Sequence, residues 1–323
     1  MTYSSFKKLH PVYIFGSGLT IMLLSIAGFF VKPLAGDNSF PSLLAFYIDK
    51  PWVGIPLGFL AVISTAYLML VVLNRHEIFK PKTFLPFLVF GVIIGLYPAN
   101  LYLNSLMLSN LFFIAALNKL MFLPTSRAHM SHVLEASFFL GIASLFFWPA
   151  VFSMPIVLLA TLINGLLNGR SFLLWIIGYF LPWAMAWAIS YLADTSFGIS
   201  FPWKSPDLSL FLENKVALST LIYCLVAGVL GLFFYFTSLE KTTVEIRNQK
   251  RIVGISCFVW LLSAYSAFLT EVDSAMFFVM LAPIMAFLIS TFLYHAKWKP
   301  LVFTFILFSL GTLIYNYSQL MLS

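Results

Sequence analysis

Charge is the scarce component of this chain. Only 9% of its 323 residues are Asp, Glu, Lys or Arg, roughly a third of the share that a soluble domain carries. So few charges cannot keep a globular surface hydrated, which excludes a soluble enzyme or a nucleic-acid-binding domain. Cysteine is as rare: Cys224 and Cys257 are the two present. Both fall inside apolar runs, where a thiol behaves as a small apolar side chain, so there is no disulfide framework and no zinc-ligand spacing. Internal repeats, low-complexity tracts and inverted halves are missing too. Carboxylates are scarcest of all within the apolar segments, where Glu135 is the deepest. A proton- or ion-driven carrier needs charged groups in several helices, and this distribution counts against one.

Apolar residues supply what charge does not. Hydrophobic residues make up 61% and aromatics 18%, 36 of them Phe, and the mean hydropathy is +0.98. These values predict an all-α, polytopic integral membrane protein, built as a single membrane domain over residues 1–323. Apolar runs fall at 11–31, 54–73, 83–97, 101–118, 132–148, 150–167, 172–192, 216–238, 252–270, 274–294 and 300–321. They predict about 11 transmembrane helices, of which 83–97 and the pair within 132–167 are short for a hydrocarbon core of about 30 Å. Lys7-Lys8 before a long apolar run, with Pro33-Leu34-Ala35-Gly36 after it, has the outline of a leader peptide. The length of the run favours a retained first span.

The basic residues orient these spans. With the N-terminus in the cytoplasm, Lys32, Lys50, Lys204 and Lys215 fall outside, and the other fourteen of the 18 Lys and Arg fall inside, as the positive-inside rule requires. The net charge of +7 is therefore a topology signal rather than a nucleic-acid signal, and an odd number of spans puts the C-terminus outside. Seven of the 11 acids lie on the outer side: Asp37, Asp49, Asp194, Asp207, Glu213, Glu271 and Asp273. All five histidines (His10, His76, His129, His132 and His295) lie near the cytoplasmic border. Outer-face catalysis would thus rest on carboxylates. Residues 32–53 and 193–215 read as outer segments carrying short interfacial helices, and 239–251 as a solvated, helical cytoplasmic loop.

Three sets of residues carry candidate chemistry. In the first outer loop Asp37 and Asp49 flank the apolar stretch SLLAFYI. A carboxylate there suits a general base at the membrane surface, with Lys50, Lys204 or Lys215 holding a phosphate or lipid headgroup. The plainer reading is a polar turn at Asp37 and a solvated Asp49-Lys50 pair. Second, His129, His132 and Glu135 recur every three residues, one helix face with metal-ligand types. A cytoplasmic helix start explains the same residues, with Glu135 favourable to the dipole, and no metal is assigned. Glu135 and His132 remain the polar residues to test within the membrane. Third, Asn100, Asn104, Asn110, Asn118 and Asn164 suit interhelical hydrogen bonds, and Gly91, Gly95, Gly228 and Gly231 suit close helix approach. Trp52, Trp148, Trp183, Trp203 and Trp298 sit where indoles anchor at interfaces.

The run LEASFFLGIASLFFWPAVFSMPIVLLATLINGLLNGRSFLLWIIGYFLPW resembles the middle of the GT-C-type glycosyltransferases, through Gly141, Pro149, Pro155, Arg170, Gly178, Pro182 and Trp183. That resemblance implies a polytopic enzyme taking a sugar from a polyprenyl-phosphate carrier at the outer face. It also implies a catalytic acid in the first outer loop, Asp37 or, second, Asp49. The loop has Asp37-Asn38 where that family often has paired acids, and no large outer domain follows the last span. The chain also resembles a bacterial family of polytopic inner-membrane proteins, which implies an inner-membrane location and no particular activity. The competing readings are a non-catalytic membrane subunit or scaffold, docking partner proteins through the outer loops and 239–251, and a small-solute transporter. No residue pattern identifies a cofactor, a sugar or an acceptor.

Overall fold

The structure is a computed structural model, and it describes residues 18–19, 51–96, 103–123, 129–192, 215–240, 243–268, 274–296 and 299–322. Among these the regular structure is entirely helical. The helices are α1 (Pro51–Arg75), α2 (Leu85–Gly95), α3 (Ser105–Met121), α4 (His129–Phe146), a 3-10 helix (Trp148–Ser153), α5 (Pro155–Ile163), α6 (Gly169–Leu192), α7 (Lys215–Glu240), α8 (Val244–Phe268), α9 (Ser274–His295) and α10 (Lys299–Leu322). Each predicted apolar run after the first overlaps a helix among the described residues, with 150–167 divided at Met154 and non-helical after Ile163.

Among the described residues, five segments are long and apolar enough to cross a membrane: Val53–Arg75, Gly169–Leu192, Lys215–Glu240, Phe277–His295 and Pro300–Gln319. The chain is a polytopic α-helical membrane protein. Leu85–Gly95, Ser105–Met121 and Trp148–Ile163 are apolar but shorter. At about 1.5 Å per residue, the 11 residues of α2 reach only about half of a hydrocarbon core of about 30 Å.

The chain divides into two compact units, each assembled from separate stretches. The first contains α1, α2, α7, α9 and α10. Its α2 is buried on nearly every side and packs on α1 and α9. Pro86 near its N-terminus needs no hydrogen-bond partner for a missing N–H. The connection from α1 to α2 is tied at its base, where Asn74 Nδ2 donates to Thr83 O at 2.7 Å and Thr83 N donates to Asn74 Oδ1 at 2.9 Å. Ile78 and Phe79 turn inward from it and are buried, the Phe79 ring 5.0 Å from that of Tyr294. Where α7 meets α9, Gly231 faces the backbone of Leu288 so closely that a Cβ would lie 2.8 Å from its carbonyl oxygen. This is the close approach that the small residue predicts.

The second unit contains most of α3 with α4, the 3-10 helix, α5, α6 and α8. The 3-10 helix and α5 fold back from the end of α4. Pro149 and Pro155 each sit in the first turn of their helix, where proline is tolerated. Helices α4 and α6 then pack in parallel through reciprocal glycines. A Cβ on Gly141 would lie 2.4 Å from Tyr179 O, and one on Gly178 would lie 2.7 Å from Leu134 O. On the other side of α4, Ser109 Oγ donates to Ala143 O at 3.0 Å. Phe113 of α3 stacks on the fully buried Trp260 of α8, ring centroids 4.1 Å apart.

The described residues of 239–251 are mostly helical, as expected, but less solvated than expected. Helix α7 runs to Glu240 and α8 begins at Val244, so the connection is shorter than the polar composition suggests. Gln249 and Lys250 are buried rather than solvated.

Candidate functional site

Of the expected outer-face residues, Asp37, Asp49, Lys50 and Lys204 lie outside the described residues. Lys215 is described: it opens α7 and is exposed, one helical turn before Ser219. Its ammonium is therefore presented at the end of the span Lys215–Glu240, where a long side chain reaches headgroup depth.

The His129, His132 and Glu135 face of α4 resolves into separate contacts. Glu135 forms an ion pair with Lys119 of α3, each side chain partly exposed. The deepest carboxylate of the sequence thus has a cation beside it, which is the arrangement that lets an acid persist at the edge of an apolar segment. His132 lies flat against Phe122, centroids 5.5 Å apart, and its Nδ1 is buried with no hydrogen-bond partner among the described residues. No group of three or more His, Cys, Asp or Glu side chains arranged to hold a metal is found among the described residues.

Two polar constellations escaped sequence reasoning. In the first unit, Asn316 of α10 is completely buried. Its Nδ2 donates to Leu96 O, just past the end of α2, at 2.7 Å and to Thr220 Oγ1 of α7 at 3.0 Å. Ser219 Oγ donates to Asn316 Oδ1. Two turns earlier on α10, Ser309 Oγ meets Tyr223 OH of α7 at 3.1 Å. One amide therefore closes the carbonyl end of the short helix α2 and joins α7 to α10. The signal for it was present: Ser309, Thr312 and Asn316 recur with helical spacing in an otherwise apolar segment.

In the second unit, Trp183 Nε1 donates to Ser144 Oγ at 2.9 Å, and Ser144 Oγ donates to Gly141 O at 2.8 Å. The Trp148 ring stands edge-on to Trp183, centroids 6.2 Å apart and planes at 88°. An indole acting only as an interfacial anchor turns its N–H towards headgroups and water. Trp183 directs it into the protein and so locks the middle of α6 onto α4. Trp175 does the same one helix turn pair earlier, donating to Met154 O at 3.0 Å.

Lys250, near the start of α8, is 3% exposed. Burial pushes its ammonium down to about 8, because the charged form is the one disfavoured by desolvation.

The described residues thus supply a headgroup-level cation in Lys215, a neutralised carboxylate in Glu135, and two rigid hydrogen-bonded seams. Together these position helix ends. No protein-family model, no curated protein and no solved structure matches the chain.

Proposed function

We propose that the protein handles a lipid-linked sugar at the outer face of a bacterial inner membrane, as a glycosyltransferase of GT-C type. In this reading the chain crosses the membrane about 11 times, with its N-terminus in the cytoplasm and its C-terminus outside. Asp37, with Asp49 as second choice, is the general base. It accepts the proton of an acceptor hydroxyl as that oxygen attacks the anomeric carbon, and the polyprenyl phosphate leaves with the electrons of the broken C–O bond. Lys50, Lys204 and Lys215 hold the phosphate oxygens. The polyprenyl-phosphate carrier and surrounding membrane lipids are the partners.

The observation that supports this most is how the residues carrying the resemblance meet in the second unit. Gly141 lies against Tyr179 O and Pro182, and Gly178 against Leu134 O. Trp183 is bonded to Ser144, while Pro149 and Pro155 start the 3-10 helix and α5. Residues that matched only as a loose pattern serve one structural purpose, the close packing of α4, α5 and α6 within the second unit. The exposed Lys215 adds a cation on the proposed outer side.

A membrane subunit or scaffold is the second reading, favoured by the exposed apolar side chains at the end of α6, among them Trp187, Ile189, Tyr191 and Leu192. The two separate in cells. Loss of lipid-linked glycan turnover in Asp37→Ala, at unchanged protein level, is the result expected of a transferase. Full turnover in both Asp37→Ala and Asp49→Ala would sink that assignment and leave the scaffold.

A further inference from the structure

We propose that the connection between α1 and α2, residues 75–83, is a preformed binding site for the headgroup of an anionic phospholipid. A connection that only had to join two helices could be a short, solvated turn. This one is held in a single shape. His76 N donates to Val72 O at 3.2 Å, Glu77 N to Asn74 O at 3.4 Å and Ile78 N to Leu73 O at 3.0 Å. The two Asn74–Thr83 bonds close its base, and Leu85 N donates to Thr83 Oγ1 at 3.3 Å. Glu77 has φ of 53°, a left-handed conformation that non-glycine residues adopt only where the surroundings hold them in it.

The order separates apolar from charged side chains. Ile78 and Phe79 are sunk into the first unit, while Arg75, Glu77, Lys80 and Lys82 are exposed. Glu77 lies 2.5 Å from Lys80, so the acid restrains one lysine and leaves the surface with a positive excess. Phe79 rests on Tyr294, which fixes the connection on α9.

Depth decides the partner. Arg75 is the last residue of the span Val53–Arg75, so the exposed cations stand at the level where phospholipid phosphates lie. A soluble acidic protein would need them projected beyond that level. Fixed cations over an apolar plug fit a diester phosphate above its acyl chains, and the positive excess favours an anionic headgroup over a zwitterionic one. The inference is independent of any glycosyltransferase activity.

The test is thermal unfolding of the full-length chain in detergent micelles, titrated with phosphatidylglycerol, phosphatidylcholine or inorganic phosphate. Phosphatidylglycerol should raise the midpoint more than phosphatidylcholine at equal mole fraction. K80Q/K82Q should weaken the apparent phosphatidylglycerol affinity by about fivefold for each lysine removed, without shifting the midpoint in phosphatidylcholine, and E77Q should tighten it. Equal responses to the two lipids, or an unchanged phosphatidylglycerol response in both variants, would overturn the proposal. So would equal stabilisation by inorganic phosphate, which would mean that the cations recognise the free ion.

Discussion

Two helix seams, one in each unit, are joined by opposite means. Between α7 and α10 in the first, side chains reach across: Asn316 to Thr220 and Ser219, Ser309 to Tyr223. Between α4 and α6 in the second, side chains are removed: Gly141 and Gly178 each press on the other helix's backbone, with the Trp183 indole as the polar addition. Lipid tails are as apolar as leucine, so apolar burial gives helices in a membrane little reason to prefer each other over lipid. Closer van der Waals contact or an interhelical hydrogen bond must supply the preference, and each of these two seams relies chiefly on one of them. A glycine seam should therefore fail on the addition of one carbon, and a polar seam on the loss of one amide.

The glycine seam should show the largest effect. Gly141→Ala places a Cβ 2.4 Å from Tyr179 O, a backbone atom that cannot rotate away. The expected loss is about 3 kcal/mol in reversible unfolding in detergent, at the upper end for overpacking. Gly165→Ala has no atom within 4 Å of the new Cβ but has φ of +65°. It should cost about 1 kcal/mol through backbone strain alone, and so serves as a control for crowding. A wild-type-like Gly141→Ala would remove the basis of the comparison.

The polar seam comes next. Asn316→Ala leaves Leu96 O without its side-chain donor and separates α7 from α10, for an expected loss of about 1–2 kcal/mol. Asn316→Asp tests the direction of the bonds, because a carboxylate cannot donate to Leu96 O. It should be at least as damaging as alanine, measured by the same unfolding assay.

Lys250 provides a pH-dependent contrast at the start of α8. Its ammonium is lowered from 10.5 to about 8 in the folded chain. Between those values the unfolded chain binds more protons than the folded one, so stability rises with pH across that window. Below pH 8 both forms are protonated and the destabilisation is present in full. Lys250→Met should abolish this rise and stabilise the protein at neutral pH by about 1 kcal/mol, once partial solvent access is allowed for. Denaturation curves at pH 7.5 and 10 would read both.

Trp183→Phe should have the smallest effect. It keeps a ring against Trp148 and removes only the indole bond to Ser144. The expected loss is about 0.6 kcal/mol, in the range of interhelical hydrogen bonds in membranes.

Much of the helix pattern was legible because span boundaries are set by where apolar runs stop. The burial of Lys250 was not, since Glu245, Arg247 and Lys250 read as a solvated helix from composition, while α8 buries Lys250. The Asn316 node was legible in principle, as a polar stripe with Thr312 and Ser309. It is not among the asparagines read as interhelical donors (Asn100, Asn104, Asn110, Asn118 and Asn164), because the contacts that give it partners join helices far apart in sequence. Glu135 was singled out correctly as an acid in need of a partner, but Lys119 could not be named as that partner. Which turn of α3 faces α4 depends on contacts such as Ser109 to Ala143, made far along the helix. Trp183 shows the same limit: its position at a span end suggested an anchor, whereas its bond to Ser144 depends on the parallel register that Gly141 and Gly178 allow. The proposed site is legible only in part, because Asp37, Asp49, Lys50 and Lys204 lie outside the described residues and their roles rest on sequence and resemblance.

The outer-face reading depends on one property above all, that Asp37 and the exposed Lys215 share the side of the membrane opposite the N-terminus. Reporter fusions placed within 32–50 and within 193–214 measure it directly. An alkaline phosphatase reporter active at both positions, with a fluorescent cytoplasmic reporter dark at both, is the predicted result. A fluorescent reporter at either position, with silent phosphatase, would contradict the topology and the function built on it.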